Sequence, residues 1–324
     1  MKGFITTLLV TAALTLPQAH ALTVKIVGSG TPRVNVEAEL KKVGPQVFIP
    51  ANDQTSQDAL DDLSRLYPTA PNGQKIPRNN WASTNGIAYA SADGKVDVLK
   101  ILKNGGTAFI VRDKDGNPLV NLTPGSVRVA GLNNGRLKQF LLQDGNKGAI
   151  SLGFSVLVDN SGSMADVIDK VRKQATAFVS SMGDRVTCQL SRFDETRTVL
   201  TKGYQTCKET AKAISEIKGN GPSTNLVSAI HEEITDLETQ NVDFKALLVL
   251  SDGMETGDGK SASILSRKTF PIYSYWVGTK KADTILKPIS NAFFPDLKDG
   301  SKVLERMLKA VSNTYNGIKV IHVR

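Results

Sequence analysis

Leu152-Gly153-Phe154-Ser155-Val156-Leu157-Val158-Asp159-Asn160-Ser161-Gly162-Ser163-Met164 is the stretch that decides the fold. A short apolar run with β-branched residues has the pattern of a buried strand, and helical periodicity begins only after Met164. The strand ends in a carboxylate and two hydroxyls spaced Asp-x-Ser-x-Ser. Three hard oxygen donors therefore fall on a strand-to-helix loop, where open α/β sheets hold their ligands. Two later stretches extend the set. Gly219-Asn220-Gly221-Pro222-Ser223-Thr224-Asn225-Leu226 offers the Thr224 hydroxyl on a loop that opens a helix, and Ala246-Leu247-Leu248-Val249-Leu250-Ser251-Asp252-Gly253 is a second buried strand ending in a carboxylate. Asp159, Ser161, Ser163, Thr224 and Asp252, delivered by three loops, have the make-up of a divalent-cation site.

Around these strands the chain alternates strand and helix. Val167, Ile168, Val171, Ala175, Phe178 and Val179 form one apolar helical stripe. The pattern predicts strands at Arg185–Phe193 and Thr196–Leu200, helices at Glu209–Ile217 and Asn225–Leu237, and a strand at Phe270–Val277. A final helix buries Val303, Leu304, Met307, Leu308 and Val311, and a last strand runs from Ile318 to Val323. Repeated β-α units imply an α/β fold: a doubly wound, mostly parallel sheet with helices on both faces.

The three loops together resemble the metal-ion-dependent adhesion site of a von Willebrand factor A domain, the family that includes the integrin inserted domain. The resemblance covers the chain from about Ala149 to its end, and all five motif positions are filled in order. It implies that the Arg185–Phe193 and Thr196–Leu200 pair forms an antiparallel edge on the sheet. It further implies a Mg²⁺ ion, with Mn²⁺ as a possible substitute, held by Ser161 and Ser163 directly and by Thr224 when its loop moves in. Asp159 and Asp252 would accept hydrogen bonds from those hydroxyls or from metal-bound water. With few carboxylates in the inner shell, the ion would take an Asp or Glu carboxylate from a protein partner. The bland alternative is that Asp159 caps the following helix, Ser161 and Ser163 are turn residues, and Asp252 is a satisfied loop acid. Glu255 and Asp258, close after Asp252, either line the rim of the site or only solvate the loop, and the second reading is the one expected.

The chain has 324 residues, which predicts two domains. Its first 21 residues read as a secretory signal: Lys2, an apolar core from Phe4 to Leu16, and Ala19-His20-Ala21 as the cleavage site. No Cys follows that site, which argues against a lipid anchor, and no other apolar run reaches the ~18 residues of a membrane span. The expected product is exported, periplasmic or secreted, and not membrane-spanning. Its two cysteines, Cys188 and Cys207, then have one intramolecular pairing, against the alternative of two buried free thiols. The net charge of +9 is spread over isolated basic pairs such as Lys41-Lys42 and Lys280-Lys281, so no nucleic-acid-binding stripe is expected.

Residues 22–148 are expected to be a β-rich, sandwich-like domain, with residues 149–324 as the A-type domain. Thr23–Val27 alternates like a strand. Thr55–Tyr67 places Ala59, Leu60, Leu63 and Leu66 on one helical face, and Pro68–Asn85 reads as loop, with Trp81 packed in core or loop. Beyond Lys95, Thr107–Val111, Leu119–Leu122 and Ser126–Val129 read as short strands. Asp113, Asp115 and Asn117 mimic an EF-hand start, but Pro118 and Pro124 replace the required Gly and Glu, leaving a hairpin turn. The passage DKDGNPLVNLT…SVRV also resembles the β-sandwich that often precedes A domains in bacterial secreted proteins.

Enzymatic readings fail on their motifs. Around Ser161, Asp159 and Ser163 occupy the glycine positions of Gly-x-Ser-x-Gly. His231-Glu232-Glu233-Ile234-Thr235 lacks the second His of a zinc peptidase. No Gly-Lys-Ser/Thr follows Gly219-Asn220-Gly221. The functional expectation is a non-enzymatic interaction or adhesion module, or alternatively a metal-independent structural or assembly component of the cell envelope.

Overall fold

The computed structural model describes residues 54–256, 265, 270–277, 283–296 and 302–324, together with Val36, Glu39 and Leu40. The expected signal sequence, the Thr23–Val27 strand and Asp258 lie outside the described residues. Residues 33–324 form one compact unit.

Helix α1 (Gln54–Leu66) opens the first continuous described stretch. Leu60 and Leu63 are buried as their spacing predicts, whereas Leu66 is exposed. Strands β1 (Trp81–Thr84), β2 (Ile87–Ser91), β3 (Lys95–Ile101), β4 (Thr107–Arg112), β5 (Val127–Gly131) and β6 (Phe140–Asp144) follow. Strand β1 lies in the stretch expected as loop. Its turn is Asn85-Gly86, both at positive φ, joining Thr84 to its partner Ile87 in a two-residue hairpin. Trp81 is buried in a small core with Leu60, Leu63, Ile76 and Ala88. Leu119–Leu122, expected as a strand, is not one; only Pro118 bridges back to Arg112. The Asp113 carboxylate accepts from the Asp115 and Asn117 N–H groups at 2.9 and 2.8 Å, closing the hairpin turn as expected.

The α/β part contains β7 (Leu152–Asp159), α2 (Ile168–Ser181), β8 (Val186–Phe193), β9 (Arg197–Val199) and β10 (Gln205–Thr206). Then come α3 (Cys207–Ala213), α4 (Leu226–Thr239), β11 (Phe244–Ser251), β12 (Ile272–Val277), α5 (Asp283–Ile289), β13 (Ala292–Asp296) and α6 (Lys302–Asn316). The sheet order is β10-β8-β7-β11-β12-β13, with β9 also on β8. β8, β7, β11, β12 and β13 run parallel; β9 and β10 are antiparallel to β8. Alternation along β7 feeds two cores. Phe154, Val156 and Val158 pack with α2 and α6, and Leu157 packs with α4 and α5. Ile168, Val171, Ala175, Phe178 and Val179 of α2 are all buried, each worth about 1.5–3 kcal/mol for the larger side chains. Phe154 meets Phe178 and Tyr315 edge-on at 5.6 and 4.7 Å.

The last strand, β14 (Lys319–Val323), forms where expected but not in the parallel sheet. It pairs antiparallel with β4 and β6, giving the sheet β3-β4-β14-β6. That sheet packs on β1-β2-β5 through Tyr89, Val98, Phe109, Val129 and Ile321, which is a sandwich. The chain thus returns from the α/β part to complete the β-rich one. Lys319 is 1% exposed, with Nζ 2.5 Å from Asp144 Oδ1 and donating also to the Val120 carbonyl.

Burial works against the Asp144 charge, but hydrogen bonds from Lys147 and Lys319 outweigh it and hold the carboxyl below its ordinary range. A depressed folded pKa contributes stability above the unfolded value, and that stability is lost as pH falls through the folded one. We therefore expect acid unfolding below about pH 4 to be less steep in Asp144→Asn than in the wild type, followed by circular dichroism during acid titration. Equal acid profiles would show that this pair contributes nothing to folding.

Cys188 and Cys207 form the disulfide, both sulfurs buried. It ties β8 to the first residue of α3 across 19 positions of sequence. On loop-closure entropy, removing it costs about 3 kcal/mol. The Cys188→Ala/Cys207→Ala protein should have a correspondingly lower urea midpoint, and an unchanged midpoint would refute that contribution.

Candidate functional site

The parallel sheet places the site. From β7 the chain moves to β8 on one side, then to β11 on the other, so the topological switch lies between β7 and β11. Asp159 is the last residue of β7, and Asp252 follows the last residue of β11. The two carboxylates therefore emerge from adjacent strands at their carboxyl ends.

The structure brings the three loops together by direct hydrogen bonds. The first and second form a short parallel bridge between Ser161 and Gly221. In it Gly162 N–H donates to the Gly221 carbonyl at 2.9 Å, and Gly221 N–H donates to the Asn160 carbonyl at 2.8 Å. The second and third meet at Thr224 and Thr256. Thr224 N–H donates to Thr256 Oγ1, and Thr256 N–H donates to the Thr224 carbonyl, each at 2.9 Å. Ser161 and Ser163 hydroxyl oxygens stand 3.0 Å apart.

Asp159 is wholly buried. Its Oδ1 accepts from Ser161 N–H at 2.9 Å and its Oδ2 from the Ser251 hydroxyl at 2.6 Å. Burial pushes its carboxyl up to about 6, against those hydrogen bonds, and the Asp252 charge adds to the rise. Asp252 Oδ1 accepts from Met254 N–H at 2.9 Å, and its carbonyl accepts from the Trp276 indole. Asp252, Thr224 and Ser161 are buried, while Ser163 and Met254 are exposed and put the cluster at the surface. Neither of two surface clefts, of about 520 and 620 Å³, includes any of the five donors. The cluster is a surface feature, suited to another macromolecule more than to an enclosed small molecule.

Among the described residues no group of three or more His, Cys, Asp or Glu gathers as metal ligands. A cation at this cluster would rely on hydroxyls backed by two carboxylates. The donor set fits a hard ion: all five groups offer oxygen, and burial together with the Asp252 charge raises the cost of ionising Asp159 in a way a cation would relieve.

Several supporting residues escaped the sequence reading. Ser251 orients Asp159, and Thr256 anchors the Thr224 loop. Glu255, expected only to solvate its loop, instead accepts from Val227 N–H at 2.9 Å in the first turn of α4. These roles depend on which loops meet, which no local pattern reveals.

The family model for the von Willebrand factor type A domain matches residues 155–292, which spans β7 to the start of β13 and all three loops. The chain carries a von Willebrand factor A domain. Among solved structures, it is similar to the conserved hypothetical protein BatB from Bacteroides thetaiotaomicron, at 13% identity and TM-score 0.43, covering 50% of this chain and 98% of that one. It is similar to proximal thread matrix protein 1 from the mussel byssus at 16% identity and TM-score 0.45, covering 57% and 51%. A von Willebrand factor type A protein from Catenulispora acidiphila gives 12% identity and TM-score 0.45, covering 73% and 52%. The chain thus spans about half the length of the last two. No match was found among curated proteins. A domains generally serve protein–protein interaction or adhesion, and they often hold a divalent metal at their adhesion site. Among the described residues no helix is long and apolar enough to cross a membrane.

Proposed function

We propose that this A domain is a non-enzymatic protein-interaction module which holds Mg²⁺, or Mn²⁺ in its place, on Asp159, Ser161, Ser163, Thr224 and Asp252. The bound ion supplies an electrophile able to accept a carboxylate oxygen, and a protein partner presents that oxygen from an Asp or Glu. The reading is carried by one observation: two buried carboxylates from adjacent strand ends, close enough for the Asp252 charge to raise the Asp159 pKa. An unpaired acid pair in such a place is costly unless a cation or a proton joins it. The zinc-occupied adhesion motif named for the mussel proximal thread matrix protein is in keeping with a cation here. The signal-like amino-terminal sequence supports a module that works in the periplasm or outside the cell.

A second reading is favoured by the hydrogen bonding itself. Both Asp159 oxygens and one Asp252 oxygen already have protein donors. On that reading the A domain is a metal-independent scaffold of the cell envelope, and Asp159 takes up its proton as pH falls through about 6. Thermal unfolding with magnesium and with EDTA separates the two, joined to capture of a partner from native envelope extract under the same conditions. Stabilisation and capture that both vanish in EDTA support the first reading. Capture indifferent to EDTA, with no magnesium stabilisation, supports the second and defeats the first.

A further inference from the structure

Asn160 is the residue between the first two donors, and it carries no place in the oxygen set. It is 1% exposed and makes more cross-loop hydrogen bonds than any of the donors. Its Oδ1 accepts from Lys218 N–H at 2.8 Å and from Gly219 N–H at 3.0 Å, the residues that open the Thr224 loop. Its Nδ2 donates to Asp194 Oδ2 at 2.9 Å. Asp194, in the turn between β8 and β9, grips the other end of the same loop, its carbonyl accepting from Asn225 N–H at 2.8 Å. Between those two points lies Gly221, where an added Cβ would collide with the Asp194 side chain. The loop bearing Thr224 is therefore held at one end by the Asn160 side chain and at the other by the Asp194 carbonyl. The two residues are joined through their side chains, and the middle of the loop is pressed against the Asp194 side chain.

We infer that Asn160 and Asp194 are positioning residues, which fix the Thr224 loop against the Ser161–Ser163 loop and so set the affinity of the site for its cation. The inference rests on the proposed metal-binding reading and goes beyond it, because neither residue is a donor. An amide is required at position 160 by the geometry. Its oxygen must accept twice from backbone N–H groups while its nitrogen donates to a carboxylate, and no other side chain of that length does both. Asn160→Asp keeps the acceptor and sets two carboxylates against each other, breaking the side-chain bond that ties Asn160 to Asp194.

The test is Mn²⁺ binding to the full-length chain, read by the loss of the free-ion EPR signal, with circular dichroism checking the fold of each variant in EDTA. Simple electrostatics predicts that Asn160→Asp, which adds a negative charge beside the site, tightens Mn²⁺ binding. The clamp predicts the opposite, a weakening of about tenfold or more, as is common when residues behind metal ligands are lost. Asn160→Asp combined with Asp194→Asn restores the donor–acceptor pair in reverse, with the wild-type charge, and should recover affinity to within about threefold of wild type, a small part of that effect. Equal or tighter binding by Asn160→Asp overturns the inference, and so does a double variant as weak as the single. A wild-type chain that binds no Mn²⁺ overturns the metal reading itself, a result distinguishable from either.

Discussion

Asp159→Ala is expected to abolish the stabilisation that magnesium confers on the wild-type protein. Ligand bound only to the folded state stabilises by an amount set by its excess over Kd. At about a hundredfold excess this is about 2.7 kcal/mol, or roughly 5–10 °C for a domain of this size. Asp159 sits behind the Ser161 and Ser163 hydroxyls, with its own oxygens on Ser161 N–H and Ser251 Oγ. Removing it deletes half the negative charge of the site and frees Ser251 to turn away. In EDTA the same change has opposing consequences. It relieves a buried, hard-to-ionise carboxyl, and it leaves a buried hydroxyl and an N–H without their acceptor. The metal-free melting temperature should therefore move far less than the magnesium increment. Asp166→Ala, a nearby exposed acid, is the control and should keep the full increment. Differential scanning calorimetry at several magnesium concentrations reads all three proteins. An Asp159→Ala chain that gains as much from magnesium as the wild type would place the ion elsewhere.

What was legible in the sequence follows from what is local. Asp159 ends a strand, Ser161, Ser163 and Asp252 follow strands, and Thr224 precedes a helix, and short-range patterns mark such places. The α2 stripe was legible for the same reason, since all of its contacts fall on one sheet face. The partners of a strand are not local. Val320 and Ile321 mark β14 as extended, but nothing in Lys319–Val323 says that β4 and β6, not the parallel sheet, receive it. Lys319 itself looks like a surface lysine until Asp144 and Val120, far away in sequence, meet its ammonium. The β1–β2 hairpin is a different case. Asn85-Gly86 is a strong turn signal, but Trp81–Thr84 is too short and polar to stand out as a strand. Asn160 was hidden by position: between two obvious donors it reads as a spacer, and its function appears only once Lys218 and Asp194 arrive beside it.

Arg197→Ala should cost about 3–5 kcal/mol of stability, the usual consequence of leaving a buried charge without its partner. The Glu233 carboxylate on α4 is fully buried against the face of the sheet. It accepts from Arg197 Nε at 2.5 Å, from Gln189 Nε2 at 3.1 Å, and from the Ser155 hydroxyl. Tyr204 O–H extends the chain by donating to Ser155 Oγ at 3.1 Å, and burial pushes its phenol well above the ordinary value. Arg197 is the one cation in direct contact with Glu233 among the described residues, and it also joins the short edge strand β9 to α4. Without it, the carboxylate keeps two neutral donors and no countercharge. Asp236 pairs with the same guanidinium but is half exposed, so Asp236→Ala should cost no more than about 1 kcal/mol. The decisive variant is Arg197→Met/Glu233→Leu. A buried ion pair replaced by apolar groups of similar volume is often neutral, so the double variant should recover much of the loss seen in Arg197→Ala. Urea unfolding measures the set. A loss below about 1 kcal/mol for Arg197→Ala would mean that solvent already reaches Glu233 and that β9 is held by its strand pairing with β8 alone.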